Sequence, residues 1–279
     1  IRDSEKLQSC VKGQQVVVHL AGQVAATDSV TDPFEDFTSN VVGTVNVLEA
    51  VRKVDEHPII IFSSSNKVYG DLSYVPTKST KTRYSFENEM LKDGIPEMFP
   101  LLVANPYGCS KAAADLYVTL YHSCYGIRTV VFRQSCIYGP RQYGTEDQGW
   151  LFHIAKTICD GGTLTAYGDG KQVRDLLYID DLIDAFEEAV SNISKAAGKT
   201  YNIGGGVKNS VSFLEAIRVL EEIYQTKANL SFDEWRTGDQ KIFCSNNTLV
   251  TNDLGWQPRT SVATGMQKLR DWIEELATS

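Results

Sequence analysis

Long apolar runs are missing from this chain: no window of about 18 consecutive apolar residues occurs, which excludes an ordinary membrane-spanning helix. Basic charge is also short, with 27 Lys and Arg against 35 Asp and Glu and a net charge of −8. Polyanions select basic surfaces, so nucleic acid and anionic membranes are not expected as partners. A local basic pocket for a phosphorylated ligand stays open. The six cysteines, Cys10, Cys109, Cys124, Cys136, Cys159 and Cys244, show no metal-ligand spacing, and in 279 residues they read as reduced thiols. No metal site is expected. There is no basic-then-apolar leader, so a cytoplasmic location is expected. Finally, no strand is followed by a glycine-rich phosphate fingerprint opening a helix. The one dense glycine run near a strand, Gly204-Gly205-Gly206, leads into nothing like it.

What is present alternates. Val16 to Leu20, Pro58 to Phe62, Thr129 to Arg133 and Lys199 to Ile203 are short apolar runs of the buried-strand type. Between them, Pro33 to Lys53 has helical spacing, with Phe37, Val41, Val45, Leu48 and Val51 on one face and Pro33 suited to a first turn. Asn105 to Tyr125 is a second helix, ended by Gly126. Asp71 to Ala104 reads as a long loop. Further helices are expected at Gly149 to Cys159, Asp180 to Asn192, Val211 to Tyr224 and Gly265 to Leu276, the last with Leu269, Trp272, Ile273 and Leu276 inward. Such alternation predicts a parallel sheet with right-handed crossovers. The second half reads as a smaller mixed lobe interwoven with that sheet.

Two short motifs carry chemistry. Tyr107 and Lys111 lie four apart on a predicted helix and share one face. An ammonium beside a phenol favours the phenolate, which lowers the tyrosine pKa and makes it a usable acid or base. Ser63-Ser64-Ser65 closes the strand before it and supplies hydroxyls. Hydroxyl, phenol and ammonium together suit interconversion of an alcohol and a ketone.

With Ser63-Ser64-Ser65-Asn66-Lys67-Val68-Tyr69-Gly70 and Tyr107-x-x-x-Lys111 together, the chain resembles the extended short-chain dehydrogenase/reductase family, whose members act on nucleotide-sugars with NAD. The resemblance runs from Ile1 to the terminal helix. It implies an α/β fold: a Rossmann-like parallel sheet and a smaller mixed α/β substrate lobe. The Ile1-Arg2-Asp3 opening matches the stretch just after the family's third strand, so about 60 preceding residues, two βα units, are expected to be absent here. The implied division assigns 1–135 and 174–204 to the NAD-binding half, and 136–173 and 205–279 to the nucleotide-sugar half.

The resemblance also implies roles. Ser65, Tyr107 and Lys111 would be catalytic. Ala21, Gly22, Gln23, Ser63 and Gln134 would bind NAD together with Tyr107 and Lys111. His19-Leu20-Ala21-Gly22-Gln23 matches a stretch that packs along the cofactor, the alternative being a tight turn with a core histidine. Asn40, in Asn40-Val41-Val42-Gly43-Thr44, would steady the backbone. Ser65, Cys136, Arg174, Arg236 and Asp239 would bind substrate, with the two arginines on its diphosphate. Cys136 departs from the family, which has Asn there, and a thiol is a poor donor.

The family's 4,6-dehydratases carry Asp-Glu after the catalytic hydroxyl; Asn66 and Lys67 stand there here, which disfavours dehydration. Ser63 to Leu72, Asp147-Gln148-Gly149-Trp150 and Gly170 to Asp175 are similar to a subgroup that inverts carbon 2 of a CDP-linked deoxysugar. A UDP-sugar 4-epimerase and a non-catalytic nucleotide-binding relative stay as alternatives. A homodimer or homotetramer is expected from the family.

Overall fold

A computed structural model describes residues 1–236 and 238–278; Thr237, inside the Arg236–Gln240 stretch, and Ser279 lie outside the described residues. Four strands, Val16–His19, Ile59–Ser65, Thr129–Gln134 and Lys199–Ile203, form one sheet in that order, every pair parallel. Their near-continuous apolar character follows from cover on both faces. Ile59, Ile61, Val130 and Phe132 point to one side, against Leu182, Ala185 and Ala189 of the Ile179–Ser191 helix. Ile60, Phe62 and Val131, one residue out of phase, point to the other. There they meet Leu48 and Val51 of the Gly43–Arg52 helix and Ala114, Val118 and Tyr121 of the Pro106–Tyr125 helix.

The 33–53 region departs from the single helix its spacing predicts. A wider π-type turn, Thr38–Val42, separates Pro33–Phe37 from Gly43–Arg52. One extra residue per turn rotates the face by about a quarter-circle. Val41, Leu48 and Val51 therefore stay buried, while Phe37 is turned out to solvent.

A second sheet sits beyond the carboxyl ends of the first. Val173–Tyr178 is its centre, pairing with Ser210–Ser212 and Ile242–Phe243, and with Cys136–Tyr138. Residues 174–204 thus begin in the second sheet and end in the first. A two-stranded ribbon of Thr163–Tyr167 and Asn229–Asp233 lies beside helices Trp150–Cys159 and Phe213–Tyr224. Leu151, Ile154, Leu220, Leu269 and Ile273 make the core of this half, with Trp272 and Leu276 packed against it. The loop expected over 71–104 holds a small hairpin, Thr77–Ser79 with Tyr84–Phe86, too short to show a period of its own. Among the described residues no helix is long and apolar enough to cross a membrane.

Candidate active site

Residues 105–111 place the phenol and the ammonium. Asn105 caps the Pro106–Tyr125 helix, its side chain accepting from Gly108 N at 2.8 Å, and Pro106 fills the first turn where no donor is lost. The Tyr107 N–H, free of the helix ladder at this position, donates to Ser29 Oγ at 3.0 Å. Gly108 is needed for a close approach: a Cβ there would lie 2.7 Å from the Lys67 carbonyl oxygen. The start of the helix is thereby pressed onto the short turn Asn66–Tyr69 that follows the serine strand.

The structure brings the Ser65 hydroxyl near enough to the Tyr107 phenol to pull its pKa down. Ser65 Oγ also accepts from Lys67 N at 3.2 Å, capping that turn. Lys111 is buried, donates to the Ser63 carbonyl at 2.6 Å and lies 4.8 Å from the centre of the Phe62 ring. Burial lowers its pKa to about 8, against the opposing pull of Asp36 and Asp115. The expected acidification of Tyr107 is not seen. Burial raises its pKa, the Asp36 charge adds to that, and only the Ser65 hydroxyl works the other way. Among the described residues no hydrogen bond joins Lys111 to the phenol; its ammonium donates to a carbonyl of the serine strand instead.

Asn40 organises the wall beside this pair. Its Nδ2 donates to Asp36 Oδ1 and Ser110 Oγ, and its Oδ1 accepts from Gln23 N, each at 3.0 Å. A Cβ on Gly22 would stand 2.5 Å from Asn40 Oδ1, so any larger residue there would displace the Asn40 side chain. His19 is a core residue: it is 4% exposed and bonds Thr44 Oγ1 at 2.9 Å. Thr44 spends its own proton on Asn40 O at 2.6 Å, so His19 Nε2 must be the donor. Burial, aided by the Lys111 charge, lowers its pKa to about 4, which keeps the ring neutral.

Two buried amide atoms at the carboxyl ends of the sheet have no protein partner among the described residues, Gln23 Oε1 and Gln134 Nε2. Gln134 is the register partner of Ser65. Buried polar atoms left open in this way fit a polar ligand lying across the strand ends. The Ala21-Gly22-Gln23 turn, with no Cβ at its centre, fits close approach by such a ligand.

A cavity of about 740 Å³ opens beside the Asn66–Tyr69 turn and runs into the second sheet. Cys136, Arg174, Arg236 and Asp239 line it, along with Asn66, Lys67, Glu146, Asp147 and Trp150. Arg174 Nη1 donates to the carbonyls of Val173 and Gln240 at 2.8 and 2.7 Å, and Nη2 donates to Asp239 Oδ1 at 2.5 Å. Burial would raise the Asp239 pKa, but Arg174 and Lys67 outweigh it and hold the carboxyl below its usual value. Arg236 lies 3.8 Å over the Tyr167 ring and pairs with Asp147 at 3.1 Å. Cys136 Sγ accepts from Trp150 Nε1 at 3.4 Å, and burial raises the thiol's pKa, which disfavours the thiolate. Lys67, which the sequence reading used only as a missing acid, faces the same cavity. Its signal was position alone, two residues after Ser65. Among the described residues no group of acidic, histidine or cysteine side chains could hold a metal ion.

Comparison with known proteins places these features. The family described as GDP-mannose 4,6 dehydratase matches residues 1–269. A CDP-paratose 2-epimerase from Salmonella typhi is 41% identical over 263 residues, covering 92% of this chain and 77% of that protein. A UDP-glucose 4-epimerase from Mycolicibacterium smegmatis is 30% identical over 254 residues, covering 91% and 74%. Among solved structures, the UDP-glucuronic acid 4-epimerase of Bacillus cereus, in complex with UDP-glucuronic acid and NAD, superposes with a TM-score of 0.81 at 29% identity, covering 97% of this chain and 78% of that one.

Proposed function

The chain belongs to the GDP-mannose 4,6-dehydratase-like branch of the extended short-chain dehydrogenases/reductases, and from that premise we propose that it inverts carbon 2 of a CDP-linked deoxysugar. At the coarser level it is an enzyme of the NAD-dependent nucleotide-sugar epimerase and dehydratase group. The observation that carries the finer reading is the pair after Ser65. Asn66 and Lys67 line the cavity at the two positions where the family's dehydratases carry Asp and Glu, so no carboxyl group is supplied there. Elimination of water then lacks the carboxyl acid–base pair that the dehydratases use, whereas the Ser65–Tyr107 pair serves oxidation and re-reduction. The 41% identity to a CDP-paratose 2-epimerase supports carbon 2 over carbon 4.

When bound, NAD supplies the hydride acceptor and, after the sugar has turned, the hydride donor. The open amides of Gln23 and Gln134, the Gly22 turn, Ser63 and Lys111 fit its nicotinamide end. Ser65 orients the reacting sugar hydroxyl, and Tyr107 Oη removes and later returns its proton. Because burial holds the phenol protonated, Tyr107 needs the ammonium of Lys111 and the positive charge brought into the site to act as base near neutrality. Arg174, Asp239, Arg236 and Cys136 line the nucleotide end. On this reading residues 1–135 and 174–204 form the cofactor half and 136–173 with 205–279 the nucleotide half.

The test is product analysis by NMR after incubating the full chain, supplied with NAD, with CDP-paratose, CDP-tyvelose and UDP-glucose separately. Interconversion of the first two supports the proposal. Conversion of UDP-glucose to its 4-epimer alone would replace it with the 4-epimerase reading. Binding without any turnover would replace it with a non-catalytic one.

A further inference from the structure

Lys67 is a half-buried cation that neither Ser65 nor Tyr107 needs for proton transfer. Its side chain is 23% exposed and enters the cavity from the turn that packs under Gly108. Its nearest carboxylate oxygen, Asp239 Oδ1 at 3.6 Å, lies beyond good hydrogen-bond distance. That oxygen already accepts from Arg174 Nη2 at 2.5 Å and from Gln240 N at 3.0 Å. Asp239 is therefore the counter-ion of Arg174 first.

The other cations have less to offer an incoming anion. Arg174 has both Nη1 protons on backbone carbonyls and one Nη2 proton on Asp239. Arg236 is stacked on Tyr167 and faces Asp147 and Glu146. Cys136 offers no strong donor, and its sulfur is taken by Trp150. Lys67, Arg174 and Asp239 together leave one positive charge on this stretch of wall, and the three protons that can deliver it are those of Lys67 Nζ. Burial lowers the Lys67 pKa, which a bound anion would reverse.

We infer that Lys67 is a substrate-binding residue, its ammonium swinging from Asp239 to an oxygen of the nucleoside diphosphate. This rests on the nucleotide-sugar reading above and adds a residue that reading did not use. A neutral sugar hydroxyl would compensate a half-buried ammonium less well than a phosphate does.

Calorimetric titration of the NAD-supplied full chain with CDP, UDP, cytidine, uridine and CDP-paratose tests it. Lys67→Met is expected to weaken binding of the preferred diphosphate about 10-fold or more, the size of a charge-assisted hydrogen bond. Lys67→Arg should hold it within about 3-fold, roughly 0.6 kcal/mol, and binding of the nucleoside should not change. NAD binding reports whether each variant is folded. Should Lys67→Met not fold, Lys67→Gln carries the same expectation. Unchanged diphosphate affinity in the charge-free variant overturns the inference and leaves the nucleotide-sugar reading standing. So does a loss seen only with the whole CDP-sugar, which would move Lys67 to the sugar. A wild-type chain that binds neither CDP nor UDP overturns both.

Discussion

Replacing Asp115 by alanine should be among the most damaging single changes in the cofactor half, for reasons that can be worked through bond by bond. Asp115 is 1% exposed and accepts three hydrogen bonds: from Arg133 Nε at 2.7 Å, Arg133 Nη2 at 3.3 Å and Ser64 Oγ at 3.1 Å. Arg133 is itself 6% exposed, and its Nη1 donates to Tyr69 Oη at 3.0 Å and Glu97 O at 2.9 Å. Tyr69 passes its proton on to Asn202 Oδ1 at 2.8 Å. One carboxylate thus ties the helix of Tyr107 and Lys111 to the strand of the serines and the strand of Gln134. Without it, a buried guanidinium loses its counter-ion, a change that costs about 3–5 kcal/mol. Typical total stabilities are about 5–15 kcal/mol, so the loss is a large fraction, and at about 2–4 °C per kcal/mol the midpoint should fall by roughly 10 °C. Thermal unfolding of the full chain followed by tryptophan fluorescence measures the midpoint, and guanidinium unfolding the free energy. The double variant Asp115→Leu with Arg133→Met removes both charges and should recover much of the deficit. A loss below about 1 kcal/mol in Asp115→Ala, or a double variant worse than the sum of its parts, would refute the reasoning.

Other expectations follow from the same geometry. Tyr107→Phe should leave NAD binding intact, by calorimetry, while lowering epimerisation at least about 100-fold; substantial residual turnover would remove Tyr107 as the base. Gly22→Ala should weaken NAD binding, because a Cβ 2.5 Å from Asn40 Oδ1 must break the Asn40–Gln23 bond; unchanged affinity would show that this turn does not touch the cofactor. Lys111 has a folded pKa of about 8, below the ordinary 10.5. Between those values the unfolded chain binds more protons, so this group destabilises fully below about pH 8 and the penalty is relieved as pH rises toward 10.5. The wild type should therefore gain on Lys111→Met in stability across pH 8 to 10.5, and parallel curves would contradict the burial argument. In the same range the free enzyme's kcat/KM should fall as the ammonium is lost.

Much of the fold was legible because it is written in periods. Four apolar runs gave four parallel strands, and the spacing read as a helix over Asn105–Tyr125 gave the helix Pro106–Tyr125, ended by Gly126 as expected, with Asn105 just outside it as the cap. Where local structure broke period, reading failed. The π-type turn at Thr38–Val42 shifts Phe37 to solvent, and no propensity marks it. The second sheet is made of strands two to six residues long, whose burial comes from partners distant in sequence, such as Val173 opposite Ser212 and Ile242. Such pairing is set by tertiary contacts rather than by alternation.

The catalytic pair marks the deeper limit. A spacing of four fixes that Tyr107 and Lys111 share a face; it does not fix where a flexible four-carbon stem sends its protons. Here Lys111 reaches the Ser63 carbonyl and lies over Phe62, and what reaches the phenol is the Ser65 hydroxyl and the charge of Asp36. Asp36 is 1% exposed, with Oδ1 on Asn40 and Oδ2 without a partner among the described residues, and burial raises its own pKa. A negative charge there opposes the phenolate, so neutralising it should help the base: Asp36→Asn keeps the Asn40 contact in shape while removing the charge. The Tyr107 pKa should then fall and the acid limb of kcat/KM should move to lower pH. The counter-argument is that Asp36 also favours the Lys111 ammonium, whose loss would raise the phenol again. The two effects differ in sign, and the direction in which the acid limb moves decides between them. A limb that does not move at all would mean that the Asp36 charge is screened from both groups once substrate and NAD fill the site.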